Sequence, residues 1–449
     1  MGSFVHLHVH SYYSVLDGMS SISGLVDKAA KSGMNAVALT DHGNMFGVKE
    51  FFNYTKKKNG KVKDQIKAIE KELKAEGLTD ERKADLEKQL AEAKNHLFKP
   101  ILGCEAYVAR NDRKSKSAVE DRSGYHLVLL AKNKTGYKNL CKLVSLGWME
   151  GFYYRPRIDH DILEKYSEGL IASSACLGGE IHKYVEKGDL AGAEKAALWY
   201  KKVFGDDYYI ELQRHKTDKP NADYECFEKQ QRQNKELIDI ARKTGIKLVA
   251  TNDVHFVEEE HGEAHERLIC LSTGKDLDDP TRMRYTKQEY LKSPEQMLQI
   301  FADIPEALEN TVEIANKVEF FDIDSAPMMP VYPIPEEFAT EEQYRQKFTE
   351  AMLREEFGDG YDRLGGYEKV VRVKLEADYL AKLAYEGAAR RYGDVLNQEQ
   401  SERIEFELNV MKTMGFPGYF LIVQDFIRAA RGMGVSVGPG RGSAAGSVV

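Results

Sequence analysis

Over its first 270 residues the chain alternates short apolar, β-branched runs with amphipathic stretches, and this alternation limits its possible folds more than any other feature. Strands are predicted at 4–9, 35–40, 101–108, 125–131, 169–173, 207–212 and 246–251, with helices at 22–32, 135–150, 189–204 and 224–244. Seven strands separated by helices imply an α/β domain, barrel-like or doubly wound. In either arrangement the reactive groups collect at the carboxyl ends of the strands.

One segment breaks the rhythm. Residues 61–97 are rich in Lys, Glu, Ala and Leu, with Ile66, Ile69 and Leu73 on one stripe and Leu86, Leu90, Ala93 and Leu97 on another. Gly77 to Asp80 lie between the stripes, so the expectation is a helical hairpin inserted between the second and third strands, its charges solvated. After residue 270 helices take over, at 293–302, 304–318, 343–357, 398–414 and 419–431, with a four-proline linker at 327–335 and a short strand at 435–437. The expected domains are therefore 1–270 and a helix-rich 271–449.

Composition excludes several classes. With 42% hydrophobic and 30% charged residues the chain can build true cores. No apolar run approaches the roughly 18 residues of a membrane span, and the opening MGSFVHLHVHS has neither part of a secretory signal. Five scattered cysteines fit a reducing, cytoplasmic setting. The net charge of −8 argues against a strongly basic nucleic-acid coat and leaves a local basic cleft open.

The chemistry begins at HLHVHS. On a strand, His6, His8 and His10 recur at period two and point to one face, where imidazoles can share a cation. A polar strand face is the plain alternative for an isolated H-x-H. The rest of the chain favours metal: Asp17 in VLDG, His42 in TDHGN, Glu105 in GCEAY, His126 in GYHL, Cys176 in SACLGG, and Asp253 and His255 in NDVHF. Most of these sit at or just past strand ends, and together they suit a multinuclear Zn, Mn or Fe site.

The series HxHS, TDHGN, GCEAY, GYHL, SSACLGG, NDxHF resembles the polymerase-and-histidinol-phosphatase (PHP) domain, and its arrangement with the downstream part resembles the C-family bacterial replicative DNA polymerases. The resemblance implies a distorted seven-stranded (β/α) barrel for 1–270. It also implies a nine-ligand set, namely His8, His10, Asp17, His42, Glu105, His126, Cys176, Asp253 and His255, holding two or three divalent ions. The activity it implies is metal-assisted 3′–5′ exonucleolytic proofreading. Some family members have lost ligands and keep the domain as a scaffold, so an intact set favours a loaded site.

The run GPGRGSAAGS at 438–447 follows the short strand. Glycines allow close approach to a phosphate, and free N–H groups at a helix start favour anions, though a plain loop has the same composition. It lacks the lysine of a P-loop. With MGFPGYFLIVQDFI before it, the run is similar to the palm of the same polymerase family, a helix-rich α+β domain of the beta-type nucleotidyltransferases. That resemblance implies Arg441, Gly442 and Ser443 as nucleotide-phosphate contacts. The palm's metal-binding aspartates lie further on in the family, so the expectation is a chain that does not polymerise by itself. It would be part of a longer polymerase that uses Mg²⁺, a DNA primer-template and deoxynucleoside triphosphates, beside a proofreading subunit, a sliding clamp and other replisome subunits.

Other residues carry plainer readings. His6 lies outside the ligand set and is expected to be structural or supporting; Asp41 either orients His42 or caps a turn. Glu211 and His215 are candidates to support ligands from behind. Arg155 and Arg157, in YYRPRID, either grip a phosphate or form surface ion pairs. Cys104, Cys141, Cys226 and Cys270 read as buried or incidental thiols. Two rival functions remain: a free-standing phosphatase of the histidinol-phosphate type, against which residues 271–449 argue, and a non-catalytic platform for a proofreading subunit.

Overall fold

Eight strands make one mixed sheet: Ala36–Leu39 (β1), Lys99–Val108 (β2), Tyr125–Ala131 (β3), Phe152–Tyr153 (β4), Arg155–Ile158 (β5), Leu170–Ser173 (β6), Tyr208–Leu212 (β7) and Lys247–Ala250 (β8). The structure, a computed structural model, describes residues 4–75, 78–117, 119–325, 328, 330–438, 440 and 446–449. The chain divides into two units, Met1–Asp324 and Ser325–Val449.

The sheet is organised around β2, whose last eight positions are all buried, as expected for a strand covered on both faces. Its first four residues pair in parallel with β1 and its last six pair antiparallel with β3, while Tyr107 and Val108 also meet β5. From β3 the order runs through β6, β7 and β8. Because β3 is antiparallel to both β2 and β6, the sheet departs from the all-parallel pattern of a regular (β/α) barrel.

The expected first strand, 4–9, does not form a ladder. It is extended chain with one bridge, Val9 to Val254. It still sits between the two ends of the sheet, since His6 and Val9 carbonyls accept from Ala38 and Thr40, and the His8 carbonyl accepts from Val254. Six of the seven predicted strands recur with ends shifted by at most two residues. The hairpin β4–β5 was not foreseen, because two- and four-residue strands are too short to show a period.

The inserted hairpin is present as the helices Gly60–Leu73 and Asp80–Asn95, which bury Ile66, Ile69, Leu86 and Ala93 in a small core of their own. The sequence placed the domain boundary at 270, whereas the first unit runs to Asp324. The reason is packing: helix Pro305–Lys317 buries Ala307 and Leu308 in the main core, and Asn310 donates to the Leu248 carbonyl on β8.

The regular structure of the second unit is all helix among its described residues. The predicted helix 343–357 is split into Glu341–Lys347 and Glu350–Phe357, because Phe348 turns extended and Thr349 caps the second piece. A 26-residue helix, Tyr367–Tyr392, was not foreseen. Helices Gln398–Met414 and Pro417–Gly432 follow. Residues 435–437, expected as a strand, join no ladder, Val435 donating back to the Ala430 carbonyl at the preceding helix end, and no strand occurs among the described residues of this unit. The β part of an α+β palm is therefore not seen here. Among the described residues no helix is long and apolar enough to cross a membrane.

Candidate metal centre

Glu105 stands at the middle of the site. It lies on β2 just past the level at which β1 ends, bridged to His42 in the following loop. Its Oε2 is 2.8 Å from His42 Nδ1, 3.2 Å from His10 Nε2 and 3.3 Å from His8 Nε2, and its Oε1 is 2.9 Å from His126 Nδ1. Cys176 Sγ lies 3.6 Å from the same His126 nitrogen. Asp253 Oδ1 faces His8 Nε2 and His10 Nε2 at 3.2 and 3.3 Å. Asp17 Oδ2 completes the group, 3.0 Å from His42 Nε2 and 3.1 Å from His255 Nε2. The nine residues singled out in the sequence thus converge through an unbroken set of contacts.

Three of the imidazoles are oriented from behind, which decides which nitrogen faces inward. His8 Nδ1 donates to Glu211 Oε1 at 2.7 Å, and that carboxylate is itself held by the hydroxyls of Ser173 and Thr251 and the amide of Gln213. Ser14 donates to Asp41 and accepts from the His42 backbone N–H, so its oxygen accepts from His10 Nδ1 at 2.9 Å. His255 Nδ1 donates to the Asp253 carbonyl at 2.8 Å. In its neutral form each of the three would therefore present an Nε2 lone pair to the cluster.

Asp253 reaches the cluster from a left-handed backbone, φ +46°. That conformation costs on the order of 1 kcal/mol in a residue with a Cβ, and such strain collects at functional sites.

Electrostatics follow from this packing. Burial pushes the Glu105 carboxyl upward, but His42, His8 and His126 outweigh it and hold the group well below the usual carboxylate range. Asp17 behaves likewise, held low against burial by His255 and His42. Burial alone would depress His8 and His42; Asp253, Glu211 and Glu105 around the first and Glu105 around the second drive them well above their ordinary value. His255, buried beside Asp17 and Asp253, rises to about 9. The four carboxylates Asp17, Glu105, Glu211 and Asp253 therefore draw positive charge into a buried space, and protons or a cation can supply it.

Five inward-facing atoms are buried without a hydrogen-bond partner: His8 Nε2, His10 Nε2, His42 Nδ1, Glu105 Oε2 and Asp253 Oδ1. Buried polar atoms are costly when unpaired, and these five are lone-pair donors pointing at one another. The triads His8–His10–Glu105, His10–His42–His255 and His42–Glu105–His126 each bring one ligating atom per residue within 4.8 Å of the others. The donor set fits divalent cations. Beside it opens a cavity of about 250 Å³, onto which His126, Cys176, Asp253, His255, Arg284 and Tyr285 face.

The remaining expectations divide. Glu211 supports His8 as anticipated, while His215 bonds the Asn252 carbonyl and Gln230 and touches no member of the nine. His6 bonds the Lys292 carbonyl, as expected of a structural histidine. Asp41 acts through Ser14. Arg157 is fully buried and donates to the carbonyls of Gly151, Arg113 and Ser115, with Asp121 4.0 Å from its Nη1, so its guanidinium is a buried structural group and neither a surface ion pair nor a phosphate grip. Arg155 is exposed over the Tyr107 ring. Cys104 and Cys270 are buried, and Cys141 and Cys226 half-buried. Arg441, Gly442 and Ser443 lie outside the described residues. Sequence reasoning missed Ser14, whose one cue was its place in HSYYS beside the histidine run, and Tyr285, which donates to Asp17 Oδ1 at 2.9 Å with no local signal.

The PHP domain family matches residues 6–66 and 60–215, and the bacterial DNA polymerase III alpha NTPase domain matches 378–449. The chain is 40% identical over 449 residues to the DNA polymerase III subunit alpha of Borreliella burgdorferi, covering 99% of this chain and 32% of that one. The chain belongs to the DNA polymerase III alpha subunit family. The alpha subunits of Campylobacter jejuni and Thermus aquaticus are each 38% identical, over 461 and 487 residues, with all of this chain covered and 33% and 35% of theirs. The chain thus spans about a third of the length of the alpha subunits it matches. A solved structure of a provisionally named metal-dependent phosphoesterase from Bifidobacterium adolescentis aligns at 10% identity and a TM-score of 0.23, covering 67% of this chain and 95% of that one.

Proposed function

We propose that the PHP domain of this chain is a metal-dependent phosphoesterase that removes nucleotides from 3′ DNA ends. In this reading it works within a longer alpha subunit that extends primers in chromosome replication. The observation that carries the first part is the convergence of five buried, unpartnered ligating atoms on one point. His8, His10, Asp17, His42, Glu105, His126, Cys176, Asp253 and His255 would hold two or three ions, of Zn, Mn or Fe, given the mixture of imidazole, carboxylate and one thiol. Bound ions would supply an activated water and positive charge for the phosphoryl oxygens.

The chain's own residues do the positioning. Glu211, Ser14 with Asp41, and the Asp253 carbonyl hold three imidazoles in the tautomer that presents Nε2. Tyr285 keeps the Asp17 carboxylate turned toward His42 and His255. Segment 4–10, lying between β1 and the residues after β8, supports the reading of the curled sheet as a distorted barrel.

Similarity to alpha subunits over nearly the whole of this chain supports the polymerase part, with a DNA primer-template and deoxynucleoside triphosphates as substrates, Mg²⁺ at a site outside the nine residues, and the clamp and other replisome subunits as partners. For Arg441, Gly442 and Ser443 the nucleotide role rests on the motif alone.

The test is direct. Elemental analysis of the purified chain should find bound transition metal, and a labelled primer with a mismatched 3′ end should be shortened. His8→Ala and Asp253→Ala should each abolish both results. Absence of metal, or shortening that survives both substitutions, would sink the proposal.

A further inference from the structure

Beside the metal centre the surface carries rings that a self-contained fold would bury. Trp148 is 41% exposed, Phe152 44% and Phe46 60%. Trp148 stacks on Phe152 with centroids 5.3 Å apart and planes at 14°, and Phe46 flanks Trp148 at 6.0 Å. The row is tied to the centre, for Trp148 Nε1 donates at 2.9 Å to the carbonyl of Gly43, the residue after His42. Tyr107 stacks on His42 at 5.8 Å, and the exposed guanidinium of Arg155 lies 5.6 Å over the Tyr107 ring. On the same β4–β5 hairpin Tyr154 is 61% exposed beneath the guanidinium of Arg122. Neither Arg155 nor Arg122 pairs with a carboxylate among the described residues. Glu150, next to this row in the chain, is taken by Arg113.

We infer that Phe46, Trp148 and Phe152, with Arg155, form a stacking platform that receives the unpaired bases of a single-stranded nucleic-acid end and leads its backbone to the metal centre. The inference rests on the phosphodiester reading of that centre. Exposed aromatics interleaved with unpaired guanidinium groups are what single strands recognise: every base offers a π face, and arginine meets the backbone phosphate. The fixed Trp148 ring, held by its own hydrogen bond, is ordered before the strand arrives, which lowers the entropy lost on binding. The platform is tied to Gly43, next to His42, and His42 itself lines the neighbouring cavity, so stacked bases would leave the backbone free to carry the terminal linkage toward it.

The experiment uses the full chain as purified and a 5′-labelled oligothymidylate whose last linkages are phosphorothioate, read by fluorescence anisotropy and tryptophan emission. Of the two tryptophans, the other, Trp199, stacks on His160 and meets Tyr200 edge-on, neither of them part of the row, and Trp148→Phe isolates its emission, so quenching lost in that variant reports on Trp148. Trp148→Ala and Phe46→Ala should each weaken binding by about tenfold or more, and Arg155→Gln should reduce its salt dependence. Trp148→Phe should keep most of the affinity, which separates loss of stacking from loss of fold. Affinity unchanged in both alanine variants, or no oligothymidylate binding at all, overturns the platform. Wild-type hydrolysis of bis(p-nitrophenyl) phosphate tests the underlying reading separately. Ring-dependent binding without that hydrolysis keeps the platform and removes the enzyme; hydrolysis with ring-independent binding does the reverse.

Discussion

Glu211 Oε1 accepts a hydrogen bond from His8 Nδ1 at 2.7 Å, across 203 positions of sequence. The carboxylate fixes which His8 nitrogen is protonated and raises the basicity of the other, which faces Glu105 and Asp253. Glu211→Gln keeps the shape and an acceptor but removes the charge. Metal affinity should fall about 10- to 100-fold, measured by chelator competition, with the fold intact by circular dichroism. Unchanged affinity would mean that Glu211 is a structural group only.

Gly43 tests how tightly the TDHGN loop is seated. Its φ is +61°, and a Cβ there would stand 2.7 Å from Pro156 Cγ and 3.0 Å from the Tyr107 ring. Gly43→Ala should cost roughly 1–3 kcal/mol in urea unfolding, from the left-handed backbone and the clash together. It should also loosen metal binding, because the β5 hairpin must shift against the residue beside His42.

Arg157 gives a stability prediction where a phosphate role was one expectation. Removing its guanidinium strands three carbonyls, of Gly151, Arg113 and Ser115, and empties a fully buried space. Arg157→Ala should lower unfolding free energy by roughly 3 kcal/mol or more. A loss below about 1 kcal/mol would contradict the buried role.

His182 provides a pH dependence. It is buried with Nδ1 unpartnered, and burial lowers its pKa to about 4. The unfolded chain, with a histidine near 6.5, then binds more protons between those values, so stability declines as pH falls from 6.5 toward 4 and levels off below. The difference is on the order of 3 kcal/mol at the acid end. His182→Gln should flatten the thermal midpoint across that range relative to wild type; parallel curves would refute the assignment.

Much of the site was legible because a strand has period two and because the ligands cluster in short motifs at strand ends. His8, His10, Asp17, His42, Glu105, His126, Cys176, Asp253 and His255 could all be picked out as candidates from their motifs, and the family resemblance grouped them as one ligand set. What escaped were the groups whose role exists only through distant partners. Ser14 is an ordinary loop serine until Asp41 and His10 meet at its oxygen, and Tyr285 is an ordinary tyrosine until its hydroxyl reaches Asp17.

The same division holds for the fold. Local pattern was enough for six strands, the charged hairpin and helix 398–414, since apolar period and capping act within a few residues. It could not decide that 4–9 would run between β1 and Val254 without becoming a strand, that β3 would run antiparallel to both its neighbours, or that helix Pro305–Lys317 would close over β8. Those outcomes depend on which surfaces are left uncovered once the sheet has curled. A chain's own order carries its periods and its ligating groups, while the pairing of remote surfaces, and with it the tautomer of each histidine, is settled only when they are packed together.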